Sequence, residues 1–513
     1  MAHQGVTMPP PSLGLDLVSP IDSMEPAAAL ELVNIFPGAG APTVRLGYET
    51  FANLGTASPI LFMHEYPLKD GTAQLIAAQA TKVYSISDAG TVTNISKVGG
   101  YLSGYWNKEL FGGNIYLANN GGDAPQVYTG TGLCANISVG GGGYALTDLI
   151  NVASYRERLY FVERNSCKMW FHATAGATLT SGSPVLKSYD FQYIFRRGGY
   201  LLFIGSFTNQ KNVTSQDLFM AVSSEGEVVL YSGYSPDDPA WTLVAHFIIG
   251  KPLGPRAYTR YNQDVWIFTQ QGIVPVSALF ELSPEQASLV VSGNVNPLIT
   301  QYGTQVSLSE RWNGFFWAAG RRVYVQLPDS GTTATLLVYS LDSKAWTQFA
   351  LFTGNHCCSS GKFLDLPFYG SSTGIIYKGE TGYADADDGT NSQSIRFAGR
   401  MAFSFYGSRG NYKAFKDIRP LMRGKRGLTL NLGLDTDFKR AATVTSVTTG
   451  AGAFTPWGSP WGSLWSSDVD YVFDRFAAAG QGHCAAIRFG GSVKNSPLQL
   501  FGFEIRFDVG GQV

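Results

Sequence analysis

The feature that most constrains this chain is a partial copy of itself. Asp237 to Phe247 reads DDPAWTLVAHF and Asp342 to Phe352 reads DSKAWTQFALF, so both follow the pattern D-x-x-A-W-T-x-x-A-x-F. Each comes after an apolar residue, a Tyr and a Ser: Leu230-Tyr231-Ser232 and Val338-Tyr339-Ser340. The same mark stands at Val83-Tyr84-Ser85 and Val127-Tyr128-Thr129, and more weakly at Trp170-Phe171, Val274-Val276 and Ile376-Tyr377. These runs are short, rich in β-branched and aromatic residues, and bounded by Gly, Pro, Asn or Asp. That pattern specifies antiparallel strands joined by tight turns. Neighbouring marks lie about 40 to 60 residues apart, the period of a four-stranded propeller blade. One small blade cannot bury both its faces, whereas a closed ring buries every inner face and leaves no long free edge. The chain is therefore expected to be all-β, with a β-propeller of six or seven degenerate blades. Val228–Ser277 supplies one complete unit, in which Trp241 and Trp266 are expected to anchor blade packing, as Trp346 does in the copy.

Composition agrees with such a ring. Charged residues are 15% of the 513, and the 60 glycines are about 12% against a usual ~7%. The charge is unevenly placed: residues from Asn391 onward hold 15 Lys+Arg and 8 Asp+Glu, and the first 390 hold 22 and 30. Two units with different neighbours follow from that asymmetry. Domain limits are drawn at 1–58 for an N-terminal arm, 59–382 for the propeller, 383–390 for a polar linker and 391–513 for a C-terminal β-sandwich. Within the arm, Glu25 to Val33 reads as a short helix behind Asp22 or Ser23. The five cysteines have no C-x-x-C spacing and read as free thiols of a reducing compartment. No apolar run approaches the ~18 residues a membrane span needs, and the first residues do not form a signal peptide.

Catalytic signals are few. No G-x-S-x-G, H-E-x-x-H or G-x-x-x-x-G-K-[ST] occurs, and the six histidines show no i, i+4 pair that would favour zinc. The Gly140–Gly143 run has no Lys and helix behind it, so a turn between blades is the better reading. Asp385, Asp387 and Asp388 before Gly389 resemble part of a calcium loop, but the downstream Glu is missing and a solvated turn is favoured. SISDAGTV resembles the Asp-box turn of sialidase propellers, with Ile86 where the Ser belongs, and reads as a plain turn. Trp457, Trp461 and Trp465 in PWGSPWGSLW read as loop anchors. Two basic clusters remain as candidate channel or subunit contacts: Arg196 and Arg197, and Arg419, Arg423, Lys425 and Arg426 in an expected hairpin turn. No cofactor, metal or enzymatic turnover is expected.

Taken together, SPIDSMEPAAALELVNIFPGAGAPTVRLGY, FGGNIYLANNGGDAPQVYTG, YRERLYFVE, FRRGGYL, SSEGEVVLYSGYSPDDPAWTLV and WGSPWGSLW resemble the tail nozzle, or tail-tube-closing, family of short-tailed bacteriophages. The chain departs from the family at Tyr128 to Leu133, where an acidic residue and a Trp are expected. The resemblance implies a structural virion protein, made in the host cytoplasm. It would form a sixfold ring below the portal and adaptor and extend the channel through which double-stranded DNA passes without sequence-specific binding. The same ring would carry fibres or receptor-binding proteins during genome ejection. The alternative is a phage-tail propeller that binds or degrades glycans.

Overall fold

The structure is a computed structural model. It describes residues 4–512 apart from 39, 210–215, 281–289, 329–334, 352–357, 360–363, 426, 442–443, 450–468 and 473. Two compact units emerge: Phe51–Ala334 with Thr353–Lys378, and Met1–Thr50 with Thr335–Phe352 and Gly379–Val513.

The first unit is a propeller. Four antiparallel four-stranded sheets follow one another along the chain, beginning at Phe62–Pro67, Trp106–Phe111, Leu149–Tyr155 and Leu201–Asn209. A fifth group, Tyr258–Tyr261, Asp264–Thr269 and Gly272–Pro275, has three strands among the described residues. A sixth begins with the hairpin Asn313–Trp317 and Arg322–Gln326, and a seventh contains Phe368–Gly370 and Ile375–Gly379. In chain order, six of the seven sequence marks fall on the third strand of a group in this unit: Val83–Ile86, Gln126–Tyr128, Lys168–Phe171, Glu227–Ser232, Gly272–Pro275 and Ile375–Gly379; the remaining one, Val338-Tyr339-Ser340, falls on Thr335–Ser340, which groups with the second unit. These strands are buried on both faces, which is why apolar residues run on without alternation.

The start and end of the unit meet. Phe51 sets its ring edge-on against Phe368 at 5.1 Å, and the Leu54 amide donates to the Gly374 carbonyl at 2.9 Å. Ala52 and Leu54 share one apolar cluster with Phe368 and Ile376. The fold is thus an all-β propeller whose ring is closed by the residues that precede its first sheet.

The second unit is a β-sandwich knitted from distant segments. One sheet runs through Ala28–Val33, Ile395–Met401, Ala485–Val493, Thr429–Thr436 and Thr445–Thr448. The other is centred on Asn411–Lys425, which pairs with Gln499–Gln512 on one side and with Val469–Val472 and Phe476–Gly482 on the other. Gln4–Met8 adds to the far edge of Gln499–Gln512. Phe489 of the first sheet packs on Phe503 of the second at 4.9 Å.

Two expectations are corrected here. The proposed helix at Glu25–Val33 is the strand Ala28–Val33, with Ala28, Ala29 and Leu32 buried; pairing to Ile395–Met401 overrides a weak helical preference. Residues 1–58 do not make a separate arm either. Their first 50 group with the C-terminal segment because Gln4–Met8 and Ala28–Val33 pair with its strands, and 335–352 joins the same unit through Gln348, which pairs with Val33.

Candidate functional site

The innermost strands of the propeller converge on a cavity of about 240 Å³. Its wall takes residues from the first strands of groups one, two, five and six: His64, Lys108 and Glu109, Arg260, and Phe315. Arg256 enters from the turn ahead of Tyr258–Tyr261. Trp106 and Tyr258 add aromatic surface. First strands have one edge turned to the axis, so consecutive residues such as Trp106 to Glu109 all reach the cavity. That explains how a strand can place Lys and Glu side by side in an otherwise apolar unit.

The electrostatics of the wall are lopsided. Three cationic side chains, Lys108, Arg256 and Arg260, face a single lining carboxylate, Glu109. Glu109 is already engaged: it accepts from Ser154 Oγ at 2.6 Å and lies 3.6 Å from an Arg260 guanidinium nitrogen. Arg256 is held against the Glu310 carbonyl at 3.2 Å and over the Tyr105 ring at 5.6 Å. Burial pushes the Lys108 amine down to about 8; Arg260 adds to the depression, while Glu109 and Glu65 oppose it. Burial, with Lys108 and Arg260 nearby, keeps His64 well below the ordinary imidazole value, so at neutral pH it is uncharged. The indole N–H of Trp106, buried at the wall, has no hydrogen-bond partner among the described residues. Chemically this is a cavity with a cationic lining and a neutral imidazole, suited to an anion.

The residues singled out in the sequence fall elsewhere. Arg196 and Arg197 have exposed side chains, but their backbone amides donate to the two oxygens of the buried Glu227 carboxylate at 2.8 and 3.0 Å. His246 Nε2 lies 3.0 Å from the same carboxylate. The FRRGG loop is therefore tied down by a buried acid. The second basic cluster is corrected: Arg419, Arg423 and Lys425 stand on the strand Asn411–Lys425, not in a hairpin turn. Odd-numbered positions put all three on one face, and Arg419 pairs with Glu504 at 3.3 Å. Arg426 and the three tryptophans of PWGSPWGSLW lie outside the described residues.

Trp241 is half-buried in an aromatic box, stacked on Tyr231 at 5.1 Å and set edge-on to Tyr155 and Tyr189. Trp266 and Trp346 are buried, beside Tyr261 and Tyr339 respectively. Asp385 is no calcium ligand but half of a buried ion pair: Arg45 donates to its two oxygens at 2.7 and 2.6 Å. Asp387 and Asp388 cap exposed turn amides. Among the described residues no group of three or more His, Cys, Asp or Glu could hold a metal ion, and no helix is long and apolar enough to cross a membrane.

The cavity residues form no linear motif. His64, Lys108 and Arg260 belong to strands nearly 200 residues apart. The signal that was present is a charge in the middle of an apolar strand, in FMHEYP, WNKELF and YTRY.

Neither a family model nor a curated protein matches the chain. Solved structures do. A streptogramin B lyase is 13% identical with a TM-score of 0.42, covering 65% of this chain and 97% of its own. Virginiamycin B lyase from Staphylococcus aureus is 11% identical at 0.41, covering 64% and 96%. YCF48 from Cyanidioschyzon merolae is 12% identical at 0.38, covering 65% and 98%. Identities this low bear on fold alone. The expectation that the chain has no enzymatic turnover is nonetheless withdrawn, since two of these similar structures carry the names of lyases.

Proposed function

We propose that this chain is a structural subunit of a short-tailed phage tail, the nozzle ring below the portal and adaptor that extends the DNA channel and carries fibres or receptor-binding proteins. The resemblance of its motifs suggests the family. The observation that carries the reading is the build of the chain: a propeller inserted into a sandwich that contains both chain ends, with Gln4–Met8 paired to Gln499–Gln512. Two separate units allow one to make ring contacts and the other to meet different proteins. The outward row Arg419, Arg423 and Lys425 suits a neighbour's acidic surface or the phosphates of passing DNA. Six copies per ring and attachment of fibres belong to the same proposal.

Native mass spectrometry of the purified chain, alone and with adaptor, should give a closed oligomer of about six copies. Labelled antibody should decorate the tail tip of intact particles. A strictly monomeric chain that is missing from virions would overturn the proposal. Release of sugars from host capsule or lipopolysaccharide would point instead to the glycan-directed alternative.

A further inference from the structure

The strongest feature not used by this reading is the cavity on the propeller axis. We infer that it is a binding site for a small phosphate-bearing molecule, with the phosphate between Lys108 and Arg260 and the carbon skeleton against Tyr258 and Phe315.

Three cations and one carboxylate line the wall itself, while Glu65 near Lys108 and Glu310 near Arg256 stand outside the lining. Like charges gathered in a restricted cavity repel, and the depressed Lys108 amine reports that repulsion together with burial. A bound anion relieves both penalties at once, so the site should hold an oxyanion far better than an exposed cluster would. Arg256 is anchored by carbonyls and Tyr105, and Arg260 by Glu109, so the guanidinium groups are positioned before any ligand arrives.

Size and lining favour an organic phosphate over a bare ion. The wall carries aromatic faces, and at about 240 Å³ the cavity is larger than a phosphate alone needs. A sugar phosphate fits this, with its ring against the aromatic surface. Duplex DNA is far too wide for such a cavity, so the ligand is separate from any DNA handled by the assembly.

The test is calorimetry on the full-length protein at pH 7 with glucose 6-phosphate, inorganic phosphate and glucose. The expected result is one site per chain for glucose 6-phosphate, weaker binding of inorganic phosphate and none of glucose. If inorganic phosphate binds as tightly, the aromatic part of the inference falls. Arg260→Gln and Lys108→Met should each weaken binding at least tenfold. Arg260 is 40% exposed, so its variant should fold. Wild-type affinity should fall between pH 7 and pH 9 as Lys108 loses its proton, and Lys108→Met should remove that fall. The groups facing Lys108 are His64, Glu65, Glu109, Arg256 and Arg260, and the His64 imidazole is already neutral below this range. Carbon-13 methylation of lysines gives a second readout, in which the Lys108 resonance should titrate near 8 and move upward with ligand. No binding of either phosphate at 10 mM, or binding unchanged in both variants, would overturn the inference.

Discussion

Removing Arg45 should be among the most damaging single changes in the sandwich unit. Its side chain is 1% exposed and that of Asp385 3%. Both guanidinium ends donate to the carboxylate, Nε donates to Asn34 Oδ1 at 2.9 Å, and Nη1 also reaches the Leu46 carbonyl at 2.9 Å. Arg45→Met keeps most of the volume but leaves Asp385 as a buried acid with no counter-charge. Breaking a buried pair from one side costs about 3–5 kcal/mol. The deficit should also depend on pH. Burial already raises the Asp385 carboxyl and Arg45 opposes that; without Arg45 its folded-state value must rise further. An acid whose folded value lies above its unfolded one binds more protons folded than unfolded between the two, so stability falls as pH rises through that window. The variant should therefore lose less at pH 5 than at pH 7. Equilibrium urea unfolding at both pH values measures this. Arg45→Met with Asp385→Leu should recover most of the loss, because a well-packed apolar pair can replace a buried ion pair. A single-variant loss below about 1 kcal/mol, against the 3–5 expected for a broken buried pair, or equal losses at the two pH values, would refute the reasoning.

Other outcomes follow from the same geometry. Glu227→Gln should cost about 2–3 kcal/mol in thermal or urea unfolding, since a neutral amide cannot accept from Arg196, Arg197 and His246 as the carboxylate does. Trp241→Ala should cost about 2–3 kcal/mol, below the 3–5 typical of a fully buried aromatic, because the ring is only half-buried in its box. Gly47→Ala should prevent soluble expression at 37 °C, as a Cβ there would lie 1.8 Å from the Ala384 carbonyl oxygen. Burial pushes the Cys134 thiol up to about 11, so it should resist an aromatic disulfide reagent at pH 8 until the protein is unfolded.

What the sequence disclosed was set by how local the cause is. The third strands were readable because a Tyr and Ser behind a branched apolar residue is a pattern of three neighbours. Ala28–Val33 was misread because its residues favour a helix in isolation, and its partner strand lies more than 360 residues on. Pro420 and Gly424 made RPLMRGKRG look like a turn, yet both sit inside a 15-residue strand whose outward positions carry the cations. Asp385 looked like part of a solvated acidic loop because Arg45 is 340 positions away. The axial cavity was hidden for the same reason, since its lining comes from the first strands of four separate groups. Local patterns carry the blades, and long-range closure carries the site.

The way the ring is closed also sets a timetable. Leu54 and Gly374, joined by a hydrogen bond, are about 320 residues apart. At a synthesis rate of roughly 5–20 residues per second, the partner of Leu54 emerges about 15–60 s after Leu54 itself. Through that interval the segment around Leu54 waits without its partner, and the strand Gln4–Met8 waits longer still for Gln499–Gln512. A ribosome-bound chain of this kind needs protection against pairing with the wrong neighbour, and slower translation would lengthen its period of greatest risk.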